Sequence, residues 1–191
     1  MSTQPKTFLT PEQYLAIERE APYKSEYHAG EMLAMAGARE GHNLVSSNTV
    51  RELSGQLRAR PCRVYGSDMR VGVGPDHYVY PDVTAACGAP QFLDLTRDTL
   101  LNPNLIVEVL SPSTEAYDRG RKFELYQSIP SFTEYLLLAS DRVHADLYVR
   151  QPGGLWLRSS FGELNNELTL ESVSCRLKLA DLYEKVEFDR S

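Results

Sequence analysis

A chain of 191 residues suits one domain of ordinary size, and 42% hydrophobic content without a long apolar tract describes a globular rather than a membrane-spanning protein. The net charge of −6 tells against a generic nucleic-acid coat protein, whose affinity comes from Lys and Arg on phosphate, although a local basic patch can sit on an acidic body. The N-terminal MSTQPKTFLTPEQ has neither a basic segment nor an apolar h-region, so no secretory signal is expected.

Thr10-Pro11-Glu12-Gln13 places Thr at an N-cap, Pro at the first helical position and Gln at the capping-box position, predicting a short helix to about Glu20. Lys24 to Ala36 reads as a hairpin turning at His28-Ala29-Gly30-Glu31, with Tyr14, Tyr23 and Tyr27 as a packing cluster. From Glu40 to Arg58 the period becomes helical, with Leu44, Val45, Asn48, Leu53 and Leu57 on one face. Cys62 to Tyr65 and Asp68 to Val73 read as a strand pair, and Gly74-Pro75-Asp76-His77 as a tight turn. Tyr78 to Ala85 reads as a strand in which Pro81 demands an edge, a bulge or an end. Residues 89–103 show no clean period and read as a surface loop.

Cys62, Cys87 and Cys175 are odd in number, far apart and without CxxC spacing. That argues against a disulfide framework and a structural zinc, and fits a reducing, cytoplasmic setting. Arg51, Arg58, Arg60, Arg63 and Arg70 concentrate basic charge in the first half; a solvated helix and loop explain them as well as a nucleic-acid contact does.

The chemistry concentrates between Asn104 and Tyr126. Leu105-Ile106-Val107-Glu108-Val109-Leu110 is a short aliphatic run that reads as a central strand buried on both faces, with one acid in its middle. A carboxylate there costs several kcal/mol unless a cation or metal ion pairs with it. After the break at Ser111-Pro112-Ser113-Thr114, Thr114 can cap a helix on which Asp118, Lys122 and Tyr126 recur every four residues and share one face. Asp82, at a strand end, and Glu108 would repel each other if close, and would demand a cation between them. Hard oxygen ligands favour Mg²⁺ or Mn²⁺ over zinc, and a nearby Lys122 could orient a water or neutralise a phosphoryl oxygen. Structural alternatives stand beside these roles: turn amides for Asp82, an ion pair with Lys122 or Arg121 for Glu108, a solvated surface for Lys122, and core packing for Tyr126.

The remaining elements are a buried strand at Thr133 to Leu138 and an antiparallel hairpin of Val143 to Val149 with Leu155 to Leu157. A further strand is expected at Glu167 to Leu170 and a short helix at Leu179 to Val186. No internal repeat or linker interrupts the chain, so residues 1–191 read as one mixed α/β domain with residues 1–38 as an N-terminal helix and hairpin extension.

Four segments together carry a resemblance: PDV at Pro81 to Val83, LIVEVLSPST at Leu105 to Thr114, DRGRKFELY at Asp118 to Tyr126, and IPSFTEYLLL at Ile129 to Leu138. They resemble the PD-(D/E)XK nuclease superfamily, and within it the restriction endonuclease family formerly filed as a domain of unknown function. The resemblance implies a restriction-endonuclease-like mixed sheet core of helix, three strands, helix and strand, and a Mg²⁺- or Mn²⁺-dependent endonuclease acting on DNA. Asp82 and Glu108 would bind the ion and Lys122 would complete the catalytic set. The superfamily's usual lysine stands two residues after the acid, where this chain has Leu110, so Lys122 would be a migrated substitute on the next helix. The entrance of the earlier helix, at Glu40 or His42, is implied as auxiliary, and Asp118 is a further auxiliary candidate. By analogy a homodimer is expected, with no membrane association and no organic cofactor. The competing expectations are a catalytically silent member that binds nucleic acid or protein, and a small-molecule hydrolase using Asp82 and Glu108.

Overall fold

The computed structural model describes residues 8–188. The N-terminal stretch read for a secretory signal lies largely outside them. The first helix, α1 (Pro11–Glu20), starts on the expected capping box: the Gln13 amide donates to Thr10 Oγ1 at 3.3 Å and the Thr10 amide donates to Gln13 Oε1 at 2.8 Å. The hairpin follows as β1 (Ser25–His28) and β2 (Glu31–Ala34), turning through Ala29 and Gly30 at positive φ. Tyr14 and Tyr27 stack at 5.0 Å, but Tyr23 is exposed and Tyr78 takes its expected place, 5.6 Å from Tyr14.

After α2 (Glu40–Leu57) the chain departs from the sequence expectation. The segments β3 (Cys62–Gly66) and β4 (Arg70–Val73) do not pair with each other; β3 joins a six-stranded sheet and β4 a five-stranded one. Likewise β5 (His77–Val79) and β6 (Val83–Cys87) belong to different sheets, and Pro81 sits in the crossing between them. A residue without an N–H cannot continue a ladder, so the chain changes sheets there. The supposed surface loop contributes β7 (Thr99–Leu100), a buried two-residue strand parallel to β4. Cys62 and Cys87 stand opposite each other in the β3–β6 register and form a disulfide, against the expectation of none; a spacing of 25 residues carries no CxxC signal, and only strand pairing brings the two together. Cys175 is free and buried.

The central strand β8 (Leu105–Leu110) is buried at every position, lying antiparallel to β6 and parallel to β9 (Glu134–Ala139). The parallel link β8–β9 runs through one helical stretch: α3 (Glu115–Tyr117), a π-helical turn (Asp118–Lys122) and α4 (Phe123–Tyr126). Thr114 makes no capping hydrogen bond through its side chain, contrary to its expected role. Beyond β9 the hairpin of β10 (Ala145–Arg150) and β11 (Trp156–Phe161) completes the six-stranded sheet in the order β11-β10-β9-β8-β6-β3. The chain ends in a two-stranded unit, β12 (Glu167–Leu170) with β13 (Cys175–Lys178), and α5 (Leu179–Leu182). No helix among the described residues is long and apolar enough to cross a membrane.

Strand alternation divides the six-stranded sheet into two faces. Leu105, Val107 and Val109 pack with Val45, Leu53 and Leu57 of α2 and with Leu168, Leu177 and Leu182. Ile106 and Leu110 face the other way, onto Tyr126, Phe132 and the β4–β5 valines. Each fully buried aliphatic side chain there contributes roughly 1.5–3 kcal/mol by leaving water. Glu108 shares the parity of Ile106 and Leu110, so it is aimed at the face covered by the helical stretch and the five-stranded sheet.

A second buried acid on that face fastens the helical stretch. Asp146 of β10 is fully buried and receives Arg119 Nη1 at 2.6 Å, Arg158 Nε and Nη2 at 3.1 Å each, and the Ser160 hydroxyl. Burial works against its charge, but Ser160 and the two guanidiniums win and pull its pKa from 3.8 to about 2. A depressed pKa means that this contribution is present above about pH 4 and fades as pH falls toward 2. Asp146→Asn is therefore expected to lower stability at pH 7 by about 2–4 kcal/mol. In urea unfolding, the gap to the parent protein should shrink between pH 4 and pH 2; a gap that stays constant would contradict this reading.

Candidate active site

The site grows out of the β6–β8 register. Val83 pairs with Val107, so one step further Asp82 stands opposite Glu108. Asp82 Oδ2 accepts the Val109 amide at 2.7 Å, which fixes the carboxylate across the end of β6. The sequence alternative for Asp82 is turn amides; the donor is instead an amide of the central strand, and the bond leaves Oδ1 for another ligand. The crossing at Tyr80–Asp82 thus brings an acid to the central strand because Pro81 ends one sheet and starts the approach to the other.

The helical stretch supplies the cation. Lys122 Nζ lies 2.9 Å from Glu108 Oε1, 3.3 Å from Glu26 Oε1 and 3.8 Å from Asp118 Oδ1, and all four residues are buried. The solvated-lysine alternative is thereby removed, and Arg121, 60% exposed beside Glu124, is not the partner of Glu108. Asp118, Lys122 and Tyr126 do share a buried face, although the run between Asp118 and Lys122 is π-helical rather than α. Such wide turns recur at functional sites, where they re-aim side chains that a regular helix would space differently. The Tyr126 hydroxyl donates to Glu108 Oε1 at 2.8 Å, so this core residue is also a site residue. Both hydrogen bonds to Glu108 land on Oε1, which leaves Oε2 for a ligand.

The electrostatics follow from crowding of like charge. Burial pushes the Glu108 carboxyl well above the usual range; Lys122 opposes this, and Asp118 and Asp82 reinforce it. Asp118 is raised by burial too, with Lys122 again opposing and Asp82 and Glu26 adding repulsion. Burial disfavours the Lys122 ammonium, but Glu108, Glu26 and Asp118 outweigh it and hold it charged. Three carboxylates therefore surround one ammonium, and Asp82 adds its repulsion to Glu108 and Asp118.

Of the two auxiliary residues on α2, His42 reaches the site and Glu40 does not. His42 Nε2 is 3.3 Å from Asp82 Oδ2, and its Nδ1 is buried without a hydrogen-bond partner. Burial opposes the imidazolium, yet the Asp82 hydrogen bond raises its pKa above the ordinary value. Glu40 is exposed at the first position of α2, outside this set of contacts. A groove of about 380 Å³ opens beside Asp82, lined by Asn43, Ser46 and Ser47 of α2 and by Gly66 to Asp68. The five arginines of the first half form no continuous patch: Arg70 is buried against Asp98 and Tyr80, while Arg51 and Arg60 are tied to the C-terminal region.

Glu26 is the site residue that sequence reasoning misses. It comes from β1, in the five-stranded sheet, and a four-residue strand reading Ser-Glu-Tyr-His carries no signal that its acid faces inward. Among the described residues no three His, Cys, Asp or Glu side chains converge as a ready-made metal cage. The surplus of buried negative charge nonetheless fits a divalent ion held by two carboxylates, since Mg²⁺ keeps several waters and shares its shell with substrate phosphate.

A family model described as "Putative restriction endonuclease", Uma2, matches residues 11–180. The chain belongs to the Uma2 family. It is 35% identical over 181 residues to the uncharacterized protein slr1290 of Synechocystis, covering 94% of each chain. A second Synechocystis relative, sll1609, is 35% identical over 161 residues, with 84% of this chain and 91% of the relative covered. In shape the fold matches a crystal structure from Anabaena variabilis described as "a putative nuclease belonging to DUF820", with a TM-score of 0.75 and 18% identity over 92% of this chain and 97% of that one. The restriction-endonuclease-like architecture expected from the sequence is the one observed.

Removing the cation and removing one acid from this Uma2 site should differ sharply. Lys122→Met strands buried carboxylates and is expected to cost about 3–5 kcal/mol. Glu108→Gln, which deletes a charge that burial already disfavours, should change stability by less than about 1 kcal/mol. Urea unfolding measures both, and equal losses would contradict this electrostatic account.

Proposed function

We propose that this Uma2 protein is a divalent-metal-dependent deoxyribonuclease that hydrolyses phosphodiester bonds at the Asp82–Glu108–Lys122 site. The observation that carries the reading is the meeting of two carboxylates from paired strands with a buried lysine from the following helix, which bonds one of them at 2.9 Å. Asp82 and Glu108 would hold Mg²⁺ or Mn²⁺. The ion, when bound, would supply Lewis-acid stabilisation of charge on the phosphoryl oxygens and make a bound water more acidic. Lys122 then has a donor to offer to a phosphoryl oxygen or to the attacking water, and Tyr126 keeps the Glu108 carboxylate from rotating. The groove beside Asp82, walled by serine and asparagine rather than by cations, suits a nucleotide's sugar and base edges while the site takes its phosphate. A homodimer is part of this proposal, because cutting both strands of a duplex calls for two sites in two-fold relation.

A second reading, a silent member of the fold that binds without cutting, draws support from Lys122 being already engaged by neighbouring carboxylates. Supercoiled plasmid with Mg²⁺ or Mn²⁺, and EDTA as the blank, separates the two. Nicking or linearisation is expected only with metal, reduced at least about 100-fold by Asp82→Ala or Glu108→Ala and about 10- to 100-fold by Lys122→Ala. Cleavage that survives both acid substitutions would sink the proposed site. No cleavage in either ion, with calorimetry showing no ion binding, would favour the silent reading.

A further inference from the structure

Lys122 is held from outside the strand–helix–strand core. Its second close carboxylate, Glu26, belongs to the five-stranded sheet and is only 7% exposed. Every direction around that carboxylate is occupied. Oε1 faces the ammonium and accepts the Tyr80 amide at 3.2 Å; Oε2 accepts the Tyr117 hydroxyl at 3.1 Å and lies 3.3 Å from His28 Nε2. The Tyr117 hydroxyl is in turn 2.9 Å from His28 Nε2. Tyr80 sits two residues before Asp82, and Tyr117 one residue before Asp118, so both supports of Glu26 come from segments that build the site.

Such a carboxylate is poorly explained by stability. A buried ion pair roughly breaks even against an apolar replacement, and Lys122 already has Glu108. Sharing explains it better. Glu108 has to serve the divalent ion as well as the lysine, and an ammonium anchored by Glu108 alone would lose its placement when the ion draws on that carboxylate. Resting on the nuclease reading above, we propose that Glu26 is a positioning residue for Lys122: from the N-terminal sheet it keeps the ammonium in place when Glu108 engages the ion. The N-terminal extension is then part of the catalytic apparatus, acting through one side chain.

The test combines Glu26→Gln, close in shape, with Tyr117→Phe, which removes one support of Glu26 and perturbs the fold less. Thermal unfolding accompanies both. In plasmid cleavage with Mn²⁺, Glu26→Gln is expected to lower kcat about 10- to 100-fold with KM within about 2-fold, and Tyr117→Phe to move the same way by less. In a Lys122→Ala background, Glu26→Gln should cost no more than about 2-fold further, because its effect passes through the lysine. Equal losses in both backgrounds would overturn the proposal and mark Glu26 as structural. A readout independent of turnover is the rate of Lys122 acetylation by acetic anhydride in the metal-free protein, followed by mass spectrometry. Glu26→Gln should accelerate it several-fold relative to the other lysines, and an unchanged rate would overturn the proposal. Should the parent protein fail to cut DNA, the nuclease reading falls, and the acetylation rate still decides whether Glu26 holds Lys122.

Discussion

The contact on which the rest depends is the 2.9 Å ion pair between Glu108 and Lys122. Placing a carboxylate in the middle of a strand buried at every position costs several kcal/mol, and one ammonium does not balance it when Asp82, Asp118 and Glu26 lie in the same field. The surrounding structure is shaped by that debt. Tyr126 donates to the carboxylate, the Val109 amide immobilises Asp82, and the π-helical turn brings Asp118 and Lys122 inward together. A packing core would have used leucine at position 108. Retaining an acid there, with too little positive charge around it, is the feature on which the proposed ion rests.

The two sheets are joined through the same cluster. The chain leaves the five-stranded sheet at β5, passes Pro81, and enters the six-stranded sheet at β6, delivering Asp82 on the way. Glu26 reaches back from β1 to the lysine on the helical stretch, while Arg119 fixes that stretch to Asp146 of β10, on the face of the six-stranded sheet that Glu108 shares. Lys122 is thus held from both directions, and the N-terminal hairpin cannot be treated as an appendage.

Much of this was legible in local pattern. The run Leu105 to Leu110 announces a buried central strand because an unbroken aliphatic hexamer has no solvent face, and its lone acid stands out for the same reason. The four-residue recurrence of Asp118, Lys122 and Tyr126 survives the change to a π-turn because all three still point inward. What sequence does not show is pairing at a distance. Cys62 and Cys87 meet through strand register, and β3 and β4 part company although only a short turn separates them. Glu26 enters the site through a sheet whose strands are two to four residues long, too short for alternation to declare a buried side. Tyr126 was readable as core, and its hydroxyl's second duty depends on which acid lies under it.

The central claim is that the negative surplus around Lys122 is completed by a divalent ion. Anomalous scattering from a crystal soaked in Mn²⁺ tests it most directly. The account predicts a peak between the carboxylates of Asp82 and Glu108, with Lys122 still bonded to Glu26. No peak there, with the lysine and Glu108 unmoved, would contradict it and leave the cluster a buried salt bridge.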